Sequence, residues 1–129
     1  MTDTYVYLIR EKDWNSDQYL PDANPTDADQ QAAFGAHQAF QQAVEELGAR
    51  IVSGMALQSA SYGGVVSPGD GDRAATDAVY TDSPYADSSE LITGFYAVEV
   101  SGEEQARHVA ALVPTGGTIE WRKVFPMRG

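Results

Sequence analysis

Cysteine is absent from this chain, and with it go disulfides, thiolate nucleophiles and Cys-ligated zinc or iron–sulfur sites. Cations are scarce as well: 8 Lys and Arg stand against 19 Asp and Glu, a formal net charge of -11. Without clustered cations such a surface cannot neutralise a run of phosphates, so no nucleic-acid partner is expected. The same imbalance argues against docking on an anionic bilayer. Long apolar runs are missing too. None approaches the roughly 18 residues of a spanning helix, so no membrane partner is expected. The opening Met1-Thr2-Asp3-Thr4-Tyr5 lacks the basic start and apolar stretch of a secretory signal, which makes the cytoplasm the expected location. His37 and His108 are the only imidazoles, too few for a His-rich metal site, and the expectation is chemistry with neither metal nor organic cofactor. Walker, GxGxxG, HExxH and GxSxG motifs do not occur. Asp70, Asp72 and Asp77 lack the alternating ligands and closing Glu of a calcium loop, so Gly69-Asp70-Gly71-Asp72 reads as a turn.

What remains is the composition of an ordered chain, 43% hydrophobic and 21% charged. At 129 residues it has the length of a single domain, 1–129, with one core. Thr4 to Arg10 is a β-branched and aromatic run of strand length, followed by a polar, proline-bearing loop from Glu11 to Pro25. Thr26 is a good N-cap, with Asp27 and Asp29 placed to complement the helix dipole behind it. Ala33, Ala36, Phe40, Val44 and Leu47 then recur at helical spacing, and Gly48 supplies the left-handed stop. His37 lies among these positions and projects from the apolar face. Arg50 to Leu57 reads as a second strand. Gly63 to Ser67 and Ala78 to Tyr80 suggest a hairpin-like excursion, and Leu91 to Val100 is a firm strand. Ser101 and Glu104 have the spacing of a capping box, opening a helix to about Val113. On that helix His108 falls off the stripe of Ala106, Val109, Ala110 and Val113, as a solvated residue would. Pro114, Gly116 and Gly117 end the helix, and Thr118 to Phe125 closes as a strand.

Without the excursion the order is βαββαβ, so the expected fold class is α+β, ferredoxin-like, with both helices on one face of an antiparallel sheet. The first strand is apolar on both faces: Tyr5, Tyr7 and Ile9 point one way, Val6 and Leu8 the other. Two helices cannot cover both sides of one sheet. A second copy of the chain is the simplest cover for the other face, and a homodimer is expected.

The segment Thr81-Asp82-Ser83-Pro84-Tyr85-Ala86-Asp87-Ser88-Ser89-Glu90, followed by Gly94-Phe95-Tyr96, carries a family likeness. It resembles the YCII-related family, in its DGPF-type branch, where a Thr-Asp-Gly-Pro-Phe turn precedes Gly-Gly-Phe-Tyr on a strand. Asp82, Pro84, Ala86, Glu90, Gly94, Phe95 and Tyr96 occupy matching places, with Tyr85 for the Phe and Asp87 for the Glu. The likeness extends to Ala36-His37-Phe40, to Gly54-Met55-Ala56-Leu57, and to Glu120 and Arg122, and so covers nearly the whole chain. Ser83, Ser89 and Thr93 depart from it, standing where the pattern has Gly, Lys and Gly.

The resemblance implies a protomer that dimerises through its sheet into an α/β barrel. It also implies a pocket where His37 approaches Asp82, with Ser83 and Tyr85 against a small organic ligand. A carboxylate on one imidazole nitrogen would fix the tautomer and leave the other as general base or acid. Three roles stay open for the pair: proton transfer on a small molecule, ligand binding without chemistry, and a structural contact holding the acidic loop. The binding role would suit a metabolite-sensing regulatory dimer, in keeping with the association of the DGPF branch with bacterial sigma-factor systems.

Overall fold

The computed structural model describes residues 2–12, 27–58, 62–68, 79–81 and 91–126, with backbone alone at 27–33 and 81. Eight elements follow in order: β1 (Asp3–Glu11), α1 (Asp27–Glu46), β2 (Arg50–Ala56), β3 (Val65–Ser67), β4 (Val79–Thr81), β5 (Leu91–Val100), α2 (Glu103–Leu112) and β6 (Thr118–Lys123). The class is α+β. A four-stranded sheet in the order β2-β5-β1-β6 is antiparallel throughout, and β3 and β4 pair as the separate hairpin the sequence suggests.

The sheet buries one face against the helices. Tyr5, Tyr7 and Ile9 of β1 and Val98 and Val100 of β5 meet Phe40 and Val44 of α1 and Ala106 and Val109 of α2, with Ala49 and Val113 completing the cluster. Period-two alternation on the strands and three-to-four spacing on the helices make this one continuous surface. The hydroxyl of Tyr7, whose residue is fully buried, donates to the carbonyl of Ala106 at 2.8 Å, tying the central strand to α2. Burial pushes the Tyr7 phenol far above its ordinary pKa, with Tyr5 adding to the shift.

Helix α1 is described from Asp27, the expected cap Thr26 lying outside the described residues, and Gly48 stops it with φ of 82°. Its apolar face is narrower than the spacing predicts. Ala36 is exposed, and Phe34 is 65% exposed, so among the described side chains of α1 the stripe runs from His37 and Phe40 onward. The capping box at α2 is not formed. Gly102 is the N-cap, without a side-chain bond to the first turn, and the third helical position is therefore Gln105 rather than Glu104. Gln105 accepts the backbone N–H of Ser101 at 2.8 Å through its Oε1. Its Nε2 donates to the carbonyl of Leu47 at 2.7 Å, just past the end of α1. A glutamate could make the first bond but not the second, because it has no donor when ionised. The closing strand ends at Lys123, short of Phe125, which is 76% exposed.

On the other face of the sheet, Val6 and Leu8 of β1, Phe95 and Ala97 of β5 and Met55 of β2 stand side by side through the strand register. No described helix covers them. Val6, Leu8, Phe95 and Ala97 are partly exposed and Met55 is 64% exposed. Ion pairs flank this apolar stripe, with Arg10–Glu120 and Arg122–Glu120 at one side (3.0 and 3.6 Å) and Arg50–Glu99 at the other (3.1 Å).

Candidate functional site

Two elements bring polar groups together at the margin of the core. From α1, His37 reaches toward the sheet one turn before Phe40. From β5, Tyr96 lies on the helix-facing side with Val98 and Val100, and its hydroxyl meets the Nδ1 of His37 at 2.5 Å. The phenol ring of Tyr96 has two close neighbours besides the imidazole. Phe40 packs on it with ring centroids 4.8 Å apart and planes at 49°. Gly54 of β2 is paired with Tyr96 in the sheet register. A Cβ at Gly54 would stand 2.7 Å from Cδ1 and 3.0 Å from Cε1 of Tyr96, so glycine is needed here for room. The imidazole and phenol rings themselves lie 5.8 Å apart at 41°.

Burial pushes the imidazole of His37 below its ordinary pKa, an effect the negative charge of Glu11 opposes in part. Burial likewise pushes the phenol of Tyr96 up. Both groups are therefore neutral at pH 7, and their contact is a hydrogen bond between neutral groups rather than an ion pair. Glu11 closes β1. Its carboxylate accepts from the Thr115 hydroxyl at 3.3 Å and from the Gly116 N–H at 3.4 Å, which draws the loop between α2 and β6 against the strand end. Gly117 makes that approach possible, since a Cβ there would run into the carbonyl oxygen of Arg10. Beside these groups Thr93 is 5% exposed and directs its hydroxyl at the carbonyl of Ile9, 3.5 Å away.

Of the residues the sequence singles out, His37 is placed as expected, half-buried on the apolar side of its helix. Asp82, Ser83 and Tyr85 lie outside the described residues, as does the Asp70–Asp77 turn. His108 is exposed, as its position on α2 predicts. Among the described residues no group of three or more His, Asp or Glu is arranged to hold a metal ion. Tyr96 and Gly54 are the members that sequence reasoning did not assign to the site. The signal for Tyr96 was available: strand alternation puts it at a core position, where a buried phenol needs a partner for its hydroxyl. Nothing comparable marks Gly54, whose role depends on the register between two strands distant in sequence.

The fold and the site define a small α+β protein with a neutral imidazole–phenol pair at the edge of its core. No protein-family model matches the chain, and no curated protein matches it significantly.

Proposed function

We propose that the chain is a homodimeric, ferredoxin-like protein of the YCII-related, DGPF-type kind, and that His37 and Tyr96 act on a small organic molecule by holding or moving a proton. The observation that carries the functional reading is the 2.5 Å contact between Nδ1 of His37 and the hydroxyl of Tyr96. A neutral imidazole hydrogen-bonded to a phenol at a core margin is held in one orientation, with its second nitrogen left for a ligand. Because Tyr96 takes the Nδ1 of His37, Asp82 is proposed beside the ligand with Ser83 and Tyr85, rather than on the imidazole. The strand order β2-β5-β1-β6 supports the ferredoxin-like assignment, because it is the order of a split βαββαβ unit once the hairpin is set aside.

A second copy seated on the open face of the sheet would cover Leu8, Phe95 and Met55. The flanking ion pairs would then form a polar rim around a dry centre. Light scattering at micromolar concentration should give twice the mass of the chain, and a monomer would sink this part.

For the site, turnover of a panel of small aromatic and carbonyl compounds is compared in the parent, His37→Ala, Tyr96→Phe and Asp82→Asn. Loss of roughly 100-fold or more in His37→Ala is expected for a general acid or base. Turnover that survives both His37→Ala and Tyr96→Phe refutes proton transfer by this pair. Saturable binding without conversion, abolished by the same changes, would instead assign the site to a metabolite-sensing dimer.

A further inference from the structure

Resting on the reading of this margin as a ligand site, we infer that the His37–Tyr96 pair presents a hydrogen-bond donor, Nε2–H of His37, to the oxygen of an uncharged carbonyl compound, and that Gly54 is the positioning residue that aims the pair. Three observations carry this.

The first is proton bookkeeping. A tyrosine hydroxyl has one proton to give, and a neutral imidazole has one nitrogen that accepts and one that donates. Among the described residues Nδ1 of His37 is the hydrogen-bond partner of the Tyr96 hydroxyl, and were the imidazole the donor the phenol proton would go unaccepted, so the phenol is assigned as donor. Giving its proton there makes Nδ1 the acceptor nitrogen. The remaining proton of the imidazole then sits on Nε2, which has no hydrogen-bond partner among the described residues.

The second is the way the phenol is held. Phe40, packed on the Tyr96 ring, and the bare backbone of Gly54, beside its Cδ1 edge, leave the ring a narrow slot. That slot ends at the imidazole. An added methyl group at Gly54 must displace the ring at its Cδ1 edge, because β2 and β5 are paired there and cannot separate without breaking the register. Gly54 therefore acts through Tyr96 and has no side chain of its own to offer a ligand.

The third is charge. A donor without positive charge, which the carboxylate of Glu11 influences electrostatically, favours an acceptor oxygen that is polar but not anionic. An uncharged carbonyl meets this description. A carboxylate of similar shape would bring a like charge toward Glu11, in a chain of net charge -11.

The test uses the full-length protein labelled with ¹⁵N at histidine, at pH 8, with the His37 signals assigned by their persistence in His108→Gln. Imidazole correlation spectra report which nitrogen bears the proton and whether the bare one accepts a hydrogen bond. The expected result is a proton on Nε2 and a hydrogen-bonded Nδ1. In Tyr96→Phe the Nδ1 signal should move to the position of a free acceptor. Gly54→Ala should reproduce that movement while circular dichroism stays that of the parent, a result a merely structural glycine would not give. Acetophenone and benzoate, a ketone and a carboxylate of similar size, are then titrated in parallel. Acetophenone should perturb Nε2 and bind roughly five- to tenfold more tightly than benzoate, and Tyr96→Phe should weaken it roughly three- to tenfold.

A proton found on Nδ1, or benzoate binding as tightly as acetophenone, overturns the inference and leaves the ligand-site reading intact. Silence of both probes overturns that reading and the inference together. A Gly54→Ala protein whose Nδ1 signal matches the parent removes Gly54 from the positioning role.

Discussion

Along β5 alternate side chains meet different environments. Val98 and Val100 are fully buried beneath the helices, whereas Phe95 and Ala97, one residue out of phase, face outward and stay partly exposed. The covered face is closed by backbone and side-chain bonds that reach across the layers, such as Tyr7 to Ala106 and Gln105 to Leu47. The open face carries apolar groups of comparable size, but its polar contacts run between neighbouring strands at its borders. Apolar area is thus present on both faces, and what distinguishes them is whether anything within the protomer removes it from water. Tyr96 stands at the boundary. Its ring belongs to the covered face and its hydroxyl to the site.

The largest way to break this contrast is Phe40→Ala. Phe40 is 2% exposed and packs on Tyr96, so its loss should cost about 3–5 kcal/mol in chemical denaturation and loosen the site as well. Tyr7→Phe probes the same face more gently. It leaves the Ala106 carbonyl without its partner and should cost about 1–3 kcal/mol, measured by the same denaturation. On the open face Phe95→Ala should behave differently: a smaller loss, about 1–2 kcal/mol, that grows as protein concentration rises, if a second copy covers this residue. A loss independent of concentration would show that Phe95 contributes only within its own protomer.

The smallest effect is that of pH. His37 binds its proton less readily when folded, so the unfolded chain takes up more protons below its ordinary pKa near 6.5. Stability contributed by neutral His37 is complete above that value and is lost as pH falls through it toward the lower folded pKa. His37→Asn, whose amide oxygen can stand near the Nδ1 position, should flatten this slope in thermal melts between pH 7 and 5. An unchanged slope would mean that the imidazole is as easily charged in the folded protein as in the unfolded chain.

The strands and helices were legible because their periodicities are local. Leu91 to Val100 is a strand with the limits the sequence suggests, and Gly48 ends its helix as a glycine in the left-handed region does. The errors are of another kind. Ser101 and Glu104 satisfy a local rule, yet Gln105 makes the bonds, since only an amide can accept from Ser101 and donate to a carbonyl of the other helix at once. Ala36 keeps helical phase with Phe40 but lies beyond the part of α1 that the sheet covers. In the site, His37 was legible from its place on an apolar face. Its partner Tyr96 is distant in the chain, and the room for that partner depends on what Gly54 lacks. Both are properties of strand register, which single-chain patterning does not specify.

Gln105 has a consequence for motion. By joining the carbonyl of Leu47 to the N–H of Ser101, it couples the exit of one helix to the entrance of the other. The two helices are then expected to open as one cooperative unit, so their slowest amides should exchange with solvent deuterium at a common rate. Gln105→Ala would let each helix exchange on its own schedule, turning one kinetic class of protected amides into two.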